Sequence, residues 1–164
     1  AEIELVGVEN RENCLKIALS KVKDDYDYII IDCPPSLGLL TLNAFVCADT
    51  ILIPIQCEYY ALEGLSQLIK TIRLVKKGLN PSLDIEGVLL TMFDARTNLS
   101  IQVADEVKKY YPKKVYASVI PRNVRLSEAP SYGQPITVYD ENSKGAESYT
   151  KLANEVIERN EGVK

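Results

Sequence analysis

The chain has 164 residues, 46% hydrophobic and 26% charged, which is typical of a soluble globular protein and enough for one domain with a real core. No apolar run approaches the roughly 18–20 residues of a membrane span, and no basic-then-apolar leader is present. There is no histidine, which removes His-based triads, His general bases and most zinc sites, and the net charge of −4 argues against a uniformly basic nucleic-acid binder.

In chain order, residues 10–23 place Leu15, Ala18, Leu19 and Val22 at helical spacing. Tyr28–Ile31 is a short, Ile-rich apolar run ending at Asp32, and it reads as a strand. Ser36 is placed to cap a helix running to about Cys47. Residues 50–56, "TILIPIQ", read as a second strand. Leu62, Leu65, Leu68, Ile69, Ile72 and Val75 then make the clearest helical stripe, stopped by Gly78 with Lys76 and Lys77 in its last turn and Pro81 beyond. Residues 85–93 are a third strand. Val103, Ala104, Val107, Tyr110 and Tyr111 mark a helix that stops before Pro112, and residues 114–120 are a fourth strand. Residues 126–142 read as irregular, with Pro130, Gly133 and Pro135 as breakers. A last helix starts near Ser143, with Tyr149, Leu152, Ala153 and Val156 facing inward.

Strands that are apolar throughout and alternate with helices predict an α/β fold: a mostly parallel sheet with helices on both faces, in a single domain over residues 1–164. In such sheets ligands sit beyond the carboxyl ends of the strands. That rule selects four windows: Asp32 to Ser36, Gln56 to Tyr60, Met92 to Asn98, and Pro121 to Arg125. The cysteines, Cys14, Cys33, Cys47 and Cys57, have wide spacings and no C-x-x-C, three of them in apolar contexts, and are expected to be buried free thiols in a reducing cytosol. Charge is uneven. Residues 96–125 hold seven basic residues (Arg96, Lys108, Lys109, Lys113, Lys114, Arg122, Arg125) against Asp105 and Glu106, a local +5 on a chain whose remainder is −9. This is either a basic face or the solvated surface of one helix and its loops.

The stretch "YDYIIIDCPPSLG", residues 26–38, is the most informative. A carboxylate at the tip of a buried strand is costly unless compensated, and Mg²⁺ or water held to it is the usual compensation in nucleotide sites. Pro34 and Pro35 fix φ and lack donors, so the chain leaves the sheet rigidly there. Taken alone, the pattern fits a Walker B strand with a stiff switch loop, and it equally fits an aspartate that caps the next helix.

"DYIIIDCPPSLGLLTLNAF" resembles the second signature of the ParA/Soj family of chromosome- and plasmid-partitioning ATPases. The resemblance continues in family order through "ADTILIPIQCEYYALEGLSQL", "GVLLTMFDARTNLS", "VIPRNVRLSEAPSYGQPI" and "YDENSKGAESYTKLANEV". It implies a P-loop NTPase-like fold, ATP and Mg²⁺ as cofactors, and ATP hydrolysis. It also implies an ATP-dependent homodimer that coats non-specific double-stranded DNA on the nucleoid in the cytoplasm, with no membrane, and a ParB/Spo0J-like partner protein that stimulates hydrolysis. By the same resemblance Asp32 is the catalytic Walker B aspartate, orienting the water on Mg²⁺. Pro34 and Pro35 belong to the switch II region, while Met92, Pro121 and Arg122 stand in the adenine pocket. Arg96 and Arg125 match the DNA-binding arginines.

One departure is clear. The family's phosphate loop, K-G-G-x-G-K-T, uses glycines so that backbone N–H groups cradle phosphates, and a lysine for their charge. None of the eight glycines here is followed by lysine. The chain is therefore expected to be the C-terminal portion of a Soj-like ATPase, inactive by itself. Two other readings are a membrane-surface ATPase resembling MinD and a non-enzymatic receiver-like signalling domain. The first needs a basic amphipathic C-terminal helix, whereas this one carries Glu155, Glu158 and Glu161. The second needs an acidic pair after its first strand, whereas Asp24 and Asp25 precede this one.

Overall fold

The computed structural model describes residues 2–34 and 36–161. It divides into two compact units, Ala1–Ile51 with Gln67–Asp84, and Leu52–Ser66 with Ile85–Lys164.

In the first unit the chain runs through α1 (Glu2–Leu5), a 3₁₀ turn at Arg11–Asn13, α2 (Cys14–Leu19), a second turn at Lys23–Asp25, and α3 (Leu39–Cys47). The helix expected over residues 10–23 is thus broken into three pieces. Asn10 sits in the left-handed region (φ 57°), and of the expected stripe only Leu15 and Leu19 are half-buried. Two buried asparagines tie this unit together. Asn43 donates to the carbonyls of Arg11 and Leu39 (both 2.9 Å) and accepts from the Leu15 N–H at 3.1 Å. Asn80 donates to the carbonyls of Phe45 (2.9 Å) and Ala48 (2.8 Å) and accepts from the Ser82 hydroxyl. With their partners made, neither carries the cost of an orphaned buried amide.

Two expectations fail here. Residues 28–32 form no strand, and Ile30 is 91% exposed. An extended segment becomes a strand only when a neighbour takes its N–H and C=O groups, and no described strand runs beside this one. Ser36 does not cap α3. Gly38 is the N-cap, the Leu39 N–H donates to the Glu2 carboxylate at 2.7 Å, and the Ser36 carbonyl accepts from the Thr41 hydroxyl at 2.6 Å. A carboxylate suits the positive end of a helix, so Glu2 supplies what Ser36 was expected to give.

The sheet has the order β1-β2-β3, with β1 Thr50–Gln56, β2 Asp84–Phe93 and β3 Val115–Pro121. β2 and β3 are parallel, paired Val88 to Val115, Leu90 to Val119 and Phe93 to Pro121. β1 enters beside β2 in the same direction, its end fixed by the Cys57 N–H donating to the Thr91 carbonyl at 3.0 Å. The parallel α/β expectation is met. Pro54 within β1 suits this, because β1 is an edge strand among the described residues and an edge tolerates a missing donor.

α4 (Ala61–Gly78) follows β1 and buries Leu65, Ile69, Ile72 and Val75, as its stripe predicted. In the second unit α5 (Asn98–Tyr110) links β2 to β3 and buries Val103, Ala104 and Val107. The region expected to be irregular contains α6 (Val124–Glu128), a 3₁₀ turn at Ala129–Tyr132 and α7 (Ile136–Tyr139). The expected breakers mark the joints. Pro130 opens the 3₁₀ turn, Gly133 ends it in the left-handed region (φ 64°), and Pro135 precedes α7. Last comes α8 (Lys144–Asn160), capped by the Ser143 hydroxyl, which accepts from the Ala146 N–H. A core of Leu89, Tyr116, Ile120 and Leu152 joins the sheet to α8.

β3 carries an irregularity. Between Val115 and Val119 it has two residues more than β2 has between Val88 and Leu90. The N–H groups of Ala117 and Ser118 fall in this bulge, and both donate to the Glu155 carboxylate of α8 at 2.8 Å. Arg159, one turn on, binds that carboxylate at 2.6 Å and the Val115 carbonyl at 3.0 Å, and lies 3.9 Å above the Tyr116 ring.

Candidate functional site

β1, β2 and β3 end side by side, and a cavity of about 600 Å³ opens at their carboxyl ends. Its floor is the end of the sheet, with Gln56 and Cys57 at the end of β1, Met92 and Asp94 at the end of β2, and Arg122 after β3. Thr97, Leu99 and Ser100 at the start of α5 form one wall, and Tyr59 and Tyr60 form the rim. The two tyrosine rings meet edge to face at 5.2 Å and are mostly exposed.

Met92 is the unusual backbone. Its φ is 53°, a left-handed conformation that costs a non-glycine residue about 1–2 kcal/mol. It lies where β2 has one residue more than β3, between Leu90 and Phe93. A bulge of this kind re-aims a side chain, and here the re-aimed thioether lines the cavity. The same irregularity leaves the Phe93 carbonyl to accept from the Arg122 N–H at 3.0 Å, which pins Pro121 and Arg122 beside Met92. The three residues expected to form a base pocket are therefore neighbours.

Cys57 is fixed at the back of the cavity. Its carbonyl accepts from the buried Ser100 hydroxyl at 3.3 Å, and burial pushes its thiol pKa up. All four cysteines are free thiols, as expected, but only Cys57 is buried, while Cys14, Cys33 and Cys47 are half-buried. Burial raises Cys33 as well, with the Asp32 charge adding to it, so neither thiol is poised as a nucleophile.

Asp94 and Arg96 form a fork at the end of β2. Arg96 Nε and Nη2 lie 2.9 and 2.7 Å from the two Asp94 oxygens, and the Arg96 N–H donates to the same carboxylate at 3.0 Å. These bonds hold the Asp94 carboxyl at about 2. Carbon-detected NMR titration of the side-chain carboxylates should find Asp94 titrating near that value. In Arg96→Ala it should return toward the ordinary carboxylate range of about 4.

The other expected residues are distributed as follows. Asp32 and Pro34 belong to the first unit, in the extended segment before α3, and both are exposed; Pro35 lies outside the described residues. Among the described residues no group of three or more Cys, Asp or Glu is arranged to hold a metal ion, and no helix is long and apolar enough to cross a membrane. Arg125, on α6, binds Glu128 at 2.9 Å and Asp140 at 3.3 Å. Arg96 and Arg125 each follow the carboxyl end of their strand, so they share one end of the sheet. Lys108, Lys109 and Lys113 do not join them. α5 runs back from the carboxyl end of β2, so these lysines lie at the amino end of β3, roughly 20 Å away for a strand of this length.

The strand-end rule selected the right windows but not the lining within them. Tyr59, Tyr60 and Asp94 were inside those windows and were not singled out, because which side chains turn into the cavity depends on the bulge and on the start of α4. The lining fits a flat ring, with a thioether, two aromatic rings and Arg122 around it. It does not fit a triphosphate, because Arg122, the cation in its wall, is set against two carboxylates, Glu58 and Asp94.

Comparison with known proteins agrees with this architecture. The chain is 69% identical over 156 residues to the sporulation initiation inhibitor protein Soj of Bacillus subtilis, covering 95% of this chain and 62% of that protein. It is 62% identical over 159 residues to the chromosome partitioning protein ParA of Myxococcus xanthus, covering 97% of this chain and 56% of that one. The chain thus spans less than two thirds of the length of these curated relatives. Among solved structures it superposes with a TM-score of 0.78, at 37% identity, on cobyrinic acid a,c-diamide synthase from Mycobacterium smegmatis with bound ATP analogue and magnesium, covering 98% of this chain and 59% of that one. A family model described as an AAA domain matches residues 1–85, just over half of the sequence, and the chain belongs to that family.

Proposed function

We propose that residues 1–164 form the C-terminal portion of a chromosome- or plasmid-partitioning ATPase domain of the Soj/ParA type. The observation that carries the reading is the 69% identity to Soj along nearly the whole chain. The cavity at the strand ends supports a nucleotide as ligand. Met92, Pro121 and Arg122 hold the adenine end of ATP, and the phosphates are held by residues outside that cavity. Asp32 is the residue that would bind Mg²⁺ through water, the ion supplying charge stabilisation for the phosphates. In this reading the ATP-bound form is a homodimer that binds double-stranded DNA of any sequence through Arg96 and Arg125, works on the nucleoid in the cytoplasm, and is reset by a ParB/Spo0J-like partner. The MinD-like alternative finds no support in α8, whose apolar residues Leu152 and Val156 pack in the core with β3 rather than facing outward.

Phosphoryl transfer rests almost entirely on positioning and charge stabilisation. With neither the glycines nor the lysine of a phosphate loop, the 164-residue chain should show no measurable Mg²⁺-dependent ATP turnover. Fusing to it the part of Bacillus subtilis Soj that it does not match should restore turnover, and Asp32→Ala in the fusion should abolish it. Turnover by the chain alone, or a folded fusion that ignores Asp32→Ala, defeats the assignment.

A further inference from the structure

Arg125 is held more tightly than a surface arginine needs to be. Its Nη1 lies 2.9 Å from Glu128 Oε2 and its Nε 3.3 Å from Asp140 Oδ2. Glu128 is fixed from the other side, since the Tyr139 hydroxyl donates to the same oxygen at 3.1 Å. The Tyr139 ring in turn stacks on Tyr132 at 5.0 Å. Asp140 follows α7 directly, and its N–H donates to the Ile136 carbonyl. The guanidinium is therefore gripped by two carboxylates from two different turns, and the three charges together leave −1. Arg96, by contrast, faces the single carboxylate of Asp94. A phosphate approaching Arg125 meets a group whose own charge is already over-neutralised.

We infer that Glu128 and Asp140 form a carboxylate latch on Arg125 that holds down its affinity for phosphate backbones. The inference rests on the DNA-binding reading given above. Glu128 and Asp140 are positioning residues: they set where the guanidinium points and how much of its charge a polyanion sees. The latch keeps the monomer's grip on DNA weak and leaves tight binding to arrangements in which several arginines act together. Phosphate and carboxylate compete for the same fork of donors, so the latch opens as DNA docks.

The test is a double-mutant cycle on the 164-residue chain, titrating a labelled duplex at low salt, where phosphate pairing weighs most. Glu128→Gln keeps an oxygen for the Tyr139 hydroxyl and removes the charge. With Asp140→Asn added, affinity should rise about three- to fivefold, the range of one exposed ion pair. The rise should vanish in an Arg125→Ala background. Glu147→Gln is the control, because that carboxylate pairs with Lys151 on α8 and not with Arg125; its effect should be the same in both backgrounds. Thermal melts confirm that each variant folds. An equal rise with and without Arg125 makes the carboxylates mere distant charges and overturns the latch, and so does a fall in affinity. If Arg125→Ala alone changes nothing, or if the double variant still shows no measurable affinity at low salt, the latch is overturned; the DNA-binding reading of the ATP-bound dimer stands or falls separately, on the salt slopes of its arginine variants.

Discussion

Alanine in place of Glu155 should lower the stability of the chain by about 2 kcal/mol, the order of charge-assisted hydrogen bonds lost at a half-exposed site. The Ala117 and Ser118 N–H groups lie in the β3 bulge, where β2 cannot reach them, and both depend on this carboxylate. Arg159 loses its 2.6 Å partner at the same time and remains half-buried against Tyr116. Glu155→Gln should cost less, since an amide oxygen still accepts one bond. Acid acts in the same direction. Burial alone would push the Glu155 carboxyl up, but the two backbone N–H groups and Arg159 outweigh it and hold it below the ordinary range. A carboxyl lowered by folding adds its full stability above its unfolded pKa of about 4.3 and loses it as the pH falls through the lowered folded value. Urea melts of the three proteins at neutral pH and near pH 3 measure both effects. The gap between wild type and Glu155→Ala should shrink at the lower pH. A cost under about 0.5 kcal/mol, the level of an ordinary surface change, means that solvent serves the bulge equally well.

The contrast between Glu155 and Ile30 shows what is legible in a sequence. The α8 stripe announced a packed helix, although of Tyr149, Leu152, Ala153 and Val156 only Leu152 and Val156 pack inward, and the continuous apolar runs announced β1, β2 and β3 to within a residue or so at each end. Nothing announced that Glu155, on the same helix, would reach back 37 residues to serve a strand, because a bulge is a property of two strands together. The Ile-rich run before Asp32 failed for the mirror-image reason. Its composition is right for a strand, but pairing is decided by a neighbour, and composition does not supply one. The site follows the same division. The parallel topology fixed where ligand-facing residues must lie, so the windows at Gln56–Tyr60 and Met92–Asn98 were readable. The left-handed Met92, which turns its side chain into the cavity, is not, since methionine has no local preference for that conformation.

Removing both Arg96 and Arg125 should have the largest effect on DNA binding. The two arginines leave the sheet at one end and carry exposed guanidinium groups, Arg96 most of all. Pairing of this kind is with phosphate and reads no sequence, so duplexes of unrelated sequence should weaken alike. Removing one phosphate-pairing cation lowers the slope of log K against log salt by roughly 0.9. In the ATP-bound dimer implied by the Soj/ParA reading every arginine is present twice, so each substitution should flatten the slope by about 1.8 and the pair by about 3.6. ATP binding should be untouched, since neither residue lines the cavity. Alanine at Lys108, Lys109 and Lys113 separates this from a general loss of positive charge. Those lysines lie at the opposite end of β3, and a duplex docked at the strand tips is beyond their reach at physiological salt, where the screening length is about 8 Å. The lysine variant, although it loses more charge than the arginine pair, should keep the parental slope. If instead both variants flatten the slope in proportion to the charge removed, DNA is responding to the net field of the chain, and the ion pairs of Arg96 with Asp94 and Arg125 with Glu128 are ordinary surface pairs.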